Sequence, residues 1–331
     1  MHKAYDLWPE IALKQYESNL EGVDFGETSH VVFAGMGGSG ALSDIFSAIL
    51  SKTDIHVEVV KGYELPKTVD SDSVVVTSSV SGNTEETLSI LNSASELKCK
   101  TIAFSSGGKM EMYCSNIGVE HRNVPETHSP RASFPSFLFS MIKVLEQFLP
   151  IETNDVKDSL EKLQKQKEKI SSENLNDENP AIILAKQIQD IPLIYYPIGL
   201  ESAAIRFKNS LQENAKMHAI TENIIEACHN GICSWEKPSN IIPILIQGTD
   251  DHFKTKERWE LMKRFFVGRN IDFKEVHSVE GGILAKLINL IYLLDYATIY
   301  RAVFSEIDPT PVKAIDYMKE QMHNNENNSK F

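Results

Sequence analysis

Cysteine is scarce. The four in 331 residues, Cys99, Cys114, Cys228 and Cys233, are too few and too scattered for a disulfide framework, which fits a reducing compartment. Positive charge is also short, with 33 Lys+Arg against 46 Asp+Glu and a formal net charge of -13. An acidic chain attracts neither nucleic acid nor anionic lipid over a distance, so any phosphate it binds must be held by local, fixed donors. Long hydrophobic runs are missing. Stretches such as Ala181–Ala185 and Leu287–Leu294 fall short of the roughly 20 residues that cross a bilayer, so no membrane segment is expected. Met1-His2-Lys3-Ala4-Tyr5-Asp6-Leu7 lacks an apolar signal core, and the expected compartment is the cytoplasm. What remains is ordinary globular material, 42% hydrophobic and 24% charged, which excludes collagen-like and wholly disordered classes. At about 150 residues per domain the length suggests two domains.

Strand and helix patterns alternate. The short apolar run His30–Ala34 leads through Gly35-Met36-Gly37-Gly38-Ser39-Gly40 into Ala41–Leu50, where Leu42, Ile45, Phe46, Ile49 and Leu50 recur at helical spacing. The runs Ile55–Val60, Ser73–Ser78 and Lys100–Phe104 continue the pattern, with a helix after Ser79–Glu86 reaching Leu97 and another over about Phe134–Phe148. Such alternation implies a parallel sheet with helices on both faces. The Lys- and Glu-rich stretch Lys157–Lys169 and the polar breaker up to Pro180 read as an exposed helix plus linker. The grammar then repeats: strand Ile191–Tyr196, turn Pro197-Ile198-Gly199-Leu200, helix Ser202–Leu211, strand Asn240–Ile246, helix Trp259–Phe266, strand Asp272–Val276 and an apolar helix Leu284–Val303. This second half looks like a degenerate copy of the first, stripped of its glycines and serines. A short helix to about Met322 and a disordered-looking tail, Asn324–Lys330, finish the chain.

Two turns carry chemistry. Gly35-x-Gly37-x-x-Gly40 between strand and helix fits the dinucleotide fingerprint literally. The second strand, however, ends Val59-Val60-Lys61-Gly62 without the ribose-binding acid, and only Glu64 lies near. The remaining readings are a sugar-lining turn and a merely tight strand-to-helix corner. Ser79-x-Ser81-Gly82-x-Thr84-Glu85 offers three hydroxyls and a run of amides at a helix start, which makes a phosphate cradle without lysine. One hydroxyl would be enough for an ordinary helix cap. Cys228-His229 with Cys233 brings two soft ligands and an imidazole together, but a structural zinc site takes four ligands and no second pair is visible.

Gly37-Gly38-Ser39 together with the serine turn resembles the sugar isomerase (SIS) domain, and the repeat resembles the phosphoglucose isomerase superfamily. More narrowly, the sequence resembles the bifunctional phosphoglucose/phosphomannose isomerases. The motifs are Arg131-Ala132-Ser133-Phe134-Pro135-Ser136, Glu213-Asn214-Ala215-Lys216, His229, Asp308-Pro309-Thr310-Pro311-Val312 and Ile315-Asp316-Tyr317-Met318-Lys319. The charged segment before Pro180 and the C-terminal tail depart from the family pattern. The resemblance implies two flavodoxin-like αβα SIS units: residues 1–152 for phosphate and sugar, a charged helix and linker over 153–180, a degenerate unit over 181–304, and a C-terminal helix and tail over 305–331. It implies interconversion of glucose 6-phosphate and mannose 6-phosphate with fructose 6-phosphate, by ring opening and a cis-enediolate, with neither metal nor cofactor. Ser79, Ser81 and Thr84 would hold phosphate, and Gly37, Gly38 and Ser39 would line the sugar. Glu213 would be the base, Arg131 would steady the enediolate, and His229 would open the ring across a homodimer interface. Lys319, or alternatively Lys286, would reach the ring or C1 oxygen, and Thr310 would leave room for both C2 epimers. Competing readings are a non-catalytic phosphosugar sensor, another SIS isomerase, or an amidotransferase half, for which Met1-His2-Lys3 supplies no N-terminal cysteine.

Overall fold

The computed structural model describes residues 1–328, with side chains to Met322. Five strands, β1 (His30–Ala34), β2 (His56–Val60), β3 (Val74–Ser79), β4 (Lys100–Ser105) and β5 (Glu120–Asn123), form one parallel sheet in the order β2-β1-β3-β4-β5. A second parallel sheet, β7-β6-β8-β9, is built from β6 (Ile191–Tyr196), β7 (Ile220–Asn223), β8 (Ile241–Gln247) and β9 (Lys274–His277). In both sheets the second strand lies outside the first and the third returns to its other side, so the repeat seen in the sequence is a repeat of topology. The strand order reverses between β1 and β3. In an open parallel sheet that is where connections leave in opposite directions and a ligand site opens at the carboxyl ends.

Helices α1 (His2–Asp6) and α2 (Trp8–Tyr16) precede the first sheet, and α3 (Gly38–Leu50), α4 (Glu85–Glu96) and α5 (Gly108–Ile117) connect its strands. Then come α6 (Phe134–Val144), α7 (Thr153–Ile170) and α8 (Pro180–Gln187). The second sheet carries α9 (Glu201–Asn214), α10 (Ile224–Ala227), a 3-10 turn at Gly231–Glu236 and α11 (Phe253–Gly268), followed by α12 (Ile283–Phe304) and α13 (Lys313–Asn328). Both sheets are flanked by helices, so β3 is buried along its whole length and reads Val-Val-Val-Thr-Ser-Ser rather than as an alternation.

One large core spans both halves. The apolar helix α12 is its axis, packed by α7, α8 and α9. By length and composition α12 could cross a membrane, but 89% of its most apolar window is buried inside the fold, so its apolar surface is already covered. The N-terminal helices close over it: Tyr5 stacks on Trp8 at 4.6 Å between ring centroids, and Trp8 stacks on Tyr292 of α12 at 5.3 Å.

Several elements differ from the sequence expectation. The charged segment Lys157–Lys169 is not a free surface helix. Val156, Leu163 and Ile170, seven residues apart, form a stripe on α7 that packs against α12, and only the opposite face carries the charge. Helix α9 continues past Leu211 to Asn214, so Glu213 sits in its last turn rather than beyond it; Lys216 then ends the helix region with a left-handed φ of 56°. Helix α13 runs to Asn328 through most of the stretch expected as a flexible tail, whose last residues, 329–331, lie outside the described residues.

Candidate active site

The two turns singled out in the sequence leave the carboxyl ends of β1 and β3, the neighbouring strands at the reversal, where Ala34 pairs in register with Thr77. Gly37 is the N-cap of α3 with φ 55° and no side-chain cap, and Ser39 is buried in its first turn. The connection must be glycine: a Cβ on Gly35 would stand 2.9 Å from Ser39 backbone atoms. In the serine turn, Thr84 is the N-cap of α4 but its hydroxyl caps nothing. It hydrogen-bonds Ser79 Oγ at 2.9 Å instead. Ser81 is exposed, and its Oγ accepts the amide of Asn83 at 3.3 Å. Gly82, at φ 66°, lies against the next loop so closely that a Cβ would meet Gly107 O at 1.8 Å. A helix start without a side-chain cap, flanked by hydroxyls, is an anion-binding arrangement.

The third wall is the turn before α6. Serines fold it: Ser133 Oγ donates to Ser129 O at 2.9 Å and Ser136 Oγ to Pro125 O at 3.0 Å. Gly38 brings the glycine turn up to this loop, since its Cβ position is 3.6 Å from Pro130 O. The next residue, Arg131, reaches across to the second half. Its Nε lies 3.2 Å from Glu213 Oε2, its Nη1 donates to Asn214 Oδ1 at 2.9 Å and to Pro309 O at 3.2 Å, and its Nη2 donates to Thr310 O at 2.9 Å. One guanidinium thus joins three sequence motifs more than eighty residues apart. Burial pushes the Glu213 carboxyl above the ordinary carboxylate range despite the pull of Arg131 and Arg206. Lys216 also enters the group: its Nζ donates to Glu213 O at 2.5 Å and to Pro311 O at 2.6 Å, and desolvation lowers its pKa.

A second arginine supports the first. Arg206, one helical face back along α9, donates through Nη2 to Arg131 O at 3.1 Å and to Asp295 Oδ2 at 2.6 Å, with its guanidinium carbon 3.9 Å above the Phe134 ring. Asp295, fully buried in α12, also accepts from Ser210 Oγ at 2.7 Å and from the Tyr5 hydroxyl at 3.3 Å. Sequence reasoning did not single out Arg206, Asp295 or Thr298, which accepts from Asn214 Nδ2 at 2.8 Å. The available signal was a lone aspartate inside the apolar run of α12, where an ionised group requires a buried partner.

Of the remaining expected residues, His229, Lys319 and Lys286 make no hydrogen bond or ion pair with this group among the described residues. His229 is exposed in the turn after α10, and its imidazole makes no hydrogen bond or ion pair among the described residues. Lys319 lies on α13, exposed from Lys313 to Met322. Lys286, nearly buried, is ion-paired with Asp250 at the second sheet. It precedes Thr298 by twelve residues on α12, about 18 Å along the axis. Thr310 meets the group through its carbonyl oxygen.

Against known families, residues 25–142 match the SIS domain and residues 177–322 the bacterial phospho-glucose isomerase C-terminal SIS domain. A bifunctional phosphoglucose/phosphomannose isomerase of Caldicellulosiruptor bescii is 31% identical over 97% of this chain and 95% of its own length. One from Aquifex aeolicus is 30% identical over 88% of this chain and 90% of its own length. A D-glucosamine-6-phosphate 4-epimerase of Sulfolobus acidocaldarius is 30% identical over 74% of this chain and 77% of its own. Among solved structures, a hypothetical protein of Thermus thermophilus superposes with a TM-score of 0.74 at 12% identity, covering 97% of this chain and 90% of that one, a likeness of fold alone. Two SIS units in tandem, together with 31% identity to a bifunctional isomerase over 97% of this chain and 95% of that one, place the chain in the bifunctional phosphoglucose/phosphomannose isomerase family.

Proposed function

We propose that the protein interconverts glucose 6-phosphate and mannose 6-phosphate with fructose 6-phosphate. The observation that carries the reading is the half-buried Glu213 carboxylate 3.2 Å from the guanidinium of Arg131, whose neighbour Pro130 lies against the glycine turn at Gly38. Aldose–ketose isomerisation moves one proton between C1 and C2 and builds negative charge on oxygen. A carboxyl lifted toward neutrality by burial is suited to carry that proton. Arg131, backed by Arg206, supplies fixed positive charge for the enediolate, and such preorganised charge is commonly the largest catalytic contribution. Glu213 takes the proton from C2 of the open-chain aldose as the C1 carbonyl becomes an enediolate oxygen, and returns it to C1 as the C2 oxygen, giving up its own proton, becomes the ketone carbonyl. The C1 and C2 oxygens exchange a proton through a neighbouring acid, and no redox partner is consumed.

In the same reading Ser79, Ser81 and Thr84 take the phosphate and Gly37, Gly38 and Ser39 line the sugar. Thr310 contributes room around C2. The exposed position of His229 supports its delivery to a neighbouring chain, so the working unit is a homodimer in which each His229 opens the ring in its partner's site. Lys319, equally exposed, would act from α13, while Lys216 is the lysine already beside Glu213.

Turnover is tested by supplying fructose 6-phosphate with EDTA present and following both aldose phosphates, with glucosamine 6-phosphate in parallel because a relative carries that epimerase name. Formation of both aldose phosphates supports the reading; a change confined to glucosamine 6-phosphate refutes it. For the dimer, inactive Glu213→Gln and His229→Ala chains are mixed and allowed to exchange. Half of randomly mixed dimers are hetero, each with one intact site, so about a quarter of wild-type activity should return. No return in verified mixed dimers would put His229 in its own chain's site or outside catalysis.

A further inference from the structure

At the opposite, amino-terminal end of the first sheet, β1 and β2 begin with histidines that are register partners, His30 and His56, with ring centroids 5.0 Å apart. Glu58, two residues beyond His56 on the edge strand β2, projects on the same side. Its Oε1 lies 3.4 Å from His56 Nε2 and 3.8 Å from His30 Nε2, and the three ligand atoms all fall within 4.8 Å of one another. Ligands bound to zinc at 2.0–2.1 Å in a tetrahedron stand about 3.3 Å apart, so the spacing is near that of a coordination shell.

The hydrogen bonds around His30 set the tautomer of its neutral ring. Ser73 Oγ donates to Asp70 Oδ1 at 3.0 Å and accepts the Asp70 amide at 3.1 Å. The hydroxyl proton is therefore committed, and the 3.1 Å contact between Ser73 Oγ and His30 Nδ1 leaves Nδ1 as the donor. In the neutral ring that fixes the tautomer: Nε2 bears a lone pair, is shut off from solvent, and has no hydrogen-bond partner. It faces Glu58 Oε1, also an acceptor, which is held by Thr68 Oγ1 at 2.9 Å. A buried imidazole lone pair directed at a carboxylate oxygen, with its far nitrogen held by an outer partner, is the arrangement of a metal-ligating histidine.

We infer that His30, His56 and Glu58 form a binding site for a divalent transition cation of the zinc class, with one coordination position open to water. Two imidazoles and one carboxylate favour Zn²⁺, Co²⁺ or Cu²⁺ over Mg²⁺ and Ca²⁺, which take oxygen shells. The ion would staple the edge strand β2 to β1. The five residues of β1 separate it from the glycine turn by roughly 15 Å, so its occupancy and the isomerase reading stand or fall separately.

The test uses the full chain, stripped with EDTA and titrated with Zn²⁺ by calorimetry, beside His56→Gln and Glu58→Gln. Both positions are partly solvent-exposed, His56 with 65% of its side chain, so the variants should fold. Wild type should take up one zinc more than His56→Gln, and Glu58→Gln should bind at least about tenfold more weakly, since even an outer-shell loss costs that much. Zinc should raise the melting temperature of wild type but not of His56→Gln, and Mg²⁺ should raise neither. Cobalt bound in place of zinc should show only weak visible bands, without the strong near-ultraviolet absorption of a thiolate ligand. Equal zinc uptake by wild type and His56→Gln, thiolate absorption from Cys228 or Cys233 as the only cobalt signal, or no uptake by wild type would overturn the inference.

Discussion

Removing the Asp295 carboxylate should unravel the support beneath the site. The carboxylate accepts two bonds from Arg206, at 3.1 and 2.6 Å, one from Ser210 and one from Tyr5. The side chains of Arg206 and Asp295 are only 4% and 0% exposed. In Asp295→Ala the guanidinium stays buried against Phe134 and Trp8 with its counter-charge gone, and two hydroxyls lose their acceptor. Stripping one partner from a buried ion pair costs about 3–5 kcal/mol, because the remaining charge is left unpaired. The loss should appear as an earlier urea midpoint. Activity should fall as well, since Arg206 also holds the carbonyl of Arg131. The assay is urea unfolding of Asp295→Ala and of the double variant Asp295→Ala/Arg206→Met, with turnover measured in parallel. The double variant, which removes both charges, should recover part of the stability. A single-variant loss below about 1 kcal/mol, the size of an exposed ion pair, would refute the reasoning.

Two further outcomes follow from the site. Burial raises the folded-state pKa of Glu213 above its unfolded value, so no cost is felt below the unfolded value, about 4.3, and stability is lost as pH rises through the folded pKa. Glu213→Gln should therefore be more stable than wild type at pH 7, with the gain vanishing near pH 4; equal midpoints at pH 7 would contradict this. Thr84→Ala removes a neutral donor from the proposed phosphate cradle and should raise KM for fructose 6-phosphate roughly tenfold to a hundredfold, by the 1.5–3 kcal/mol of a bond to a charged group, with little change in kcat. An unchanged KM would place the phosphate elsewhere.

The legible parts of the fold were those with apolar content. β1, β3, β4, β6 and β8 are buried runs, and α12 is apolar along nearly its whole length. β5, reading Glu-His-Arg-Asn, and β7, reading Ile-Thr-Glu-Asn with a single apolar residue, are four-residue edge strands too short and polar to show a strand pattern, and both went unrecognised. So did α5, which starts at a glycine, and the N-terminal helices, whose Tyr5 and Trp8 have meaning only against α12. In the site, the serine turn could be read from its own hydroxyls. Arg131 and Glu213 could not: an arginine beside a proline and a glutamate near a helix end are ordinary surface residues until the resemblance sets them together. That Arg131 would join Glu213, Asn214 and the Pro309–Thr310 backbone is a long-range fact of packing, which no local pattern encodes.

The central claim is that Glu213 moves a proton between C1 and C2 of a hexose phosphate. The most direct measurement follows fructose 6-phosphate in D₂O by NMR with wild type and Glu213→Gln. The account predicts glucose 6-phosphate and mannose 6-phosphate, carrying deuterium at C2 in the fraction of turnovers in which the proton held on Glu213 exchanges with solvent before its return, and a rate lower by at least about 10² in the variant, as loss of a general base requires. Failure of wild type to form either aldose phosphate, or a variant that keeps more than about a tenth of the wild-type rate, would contradict it.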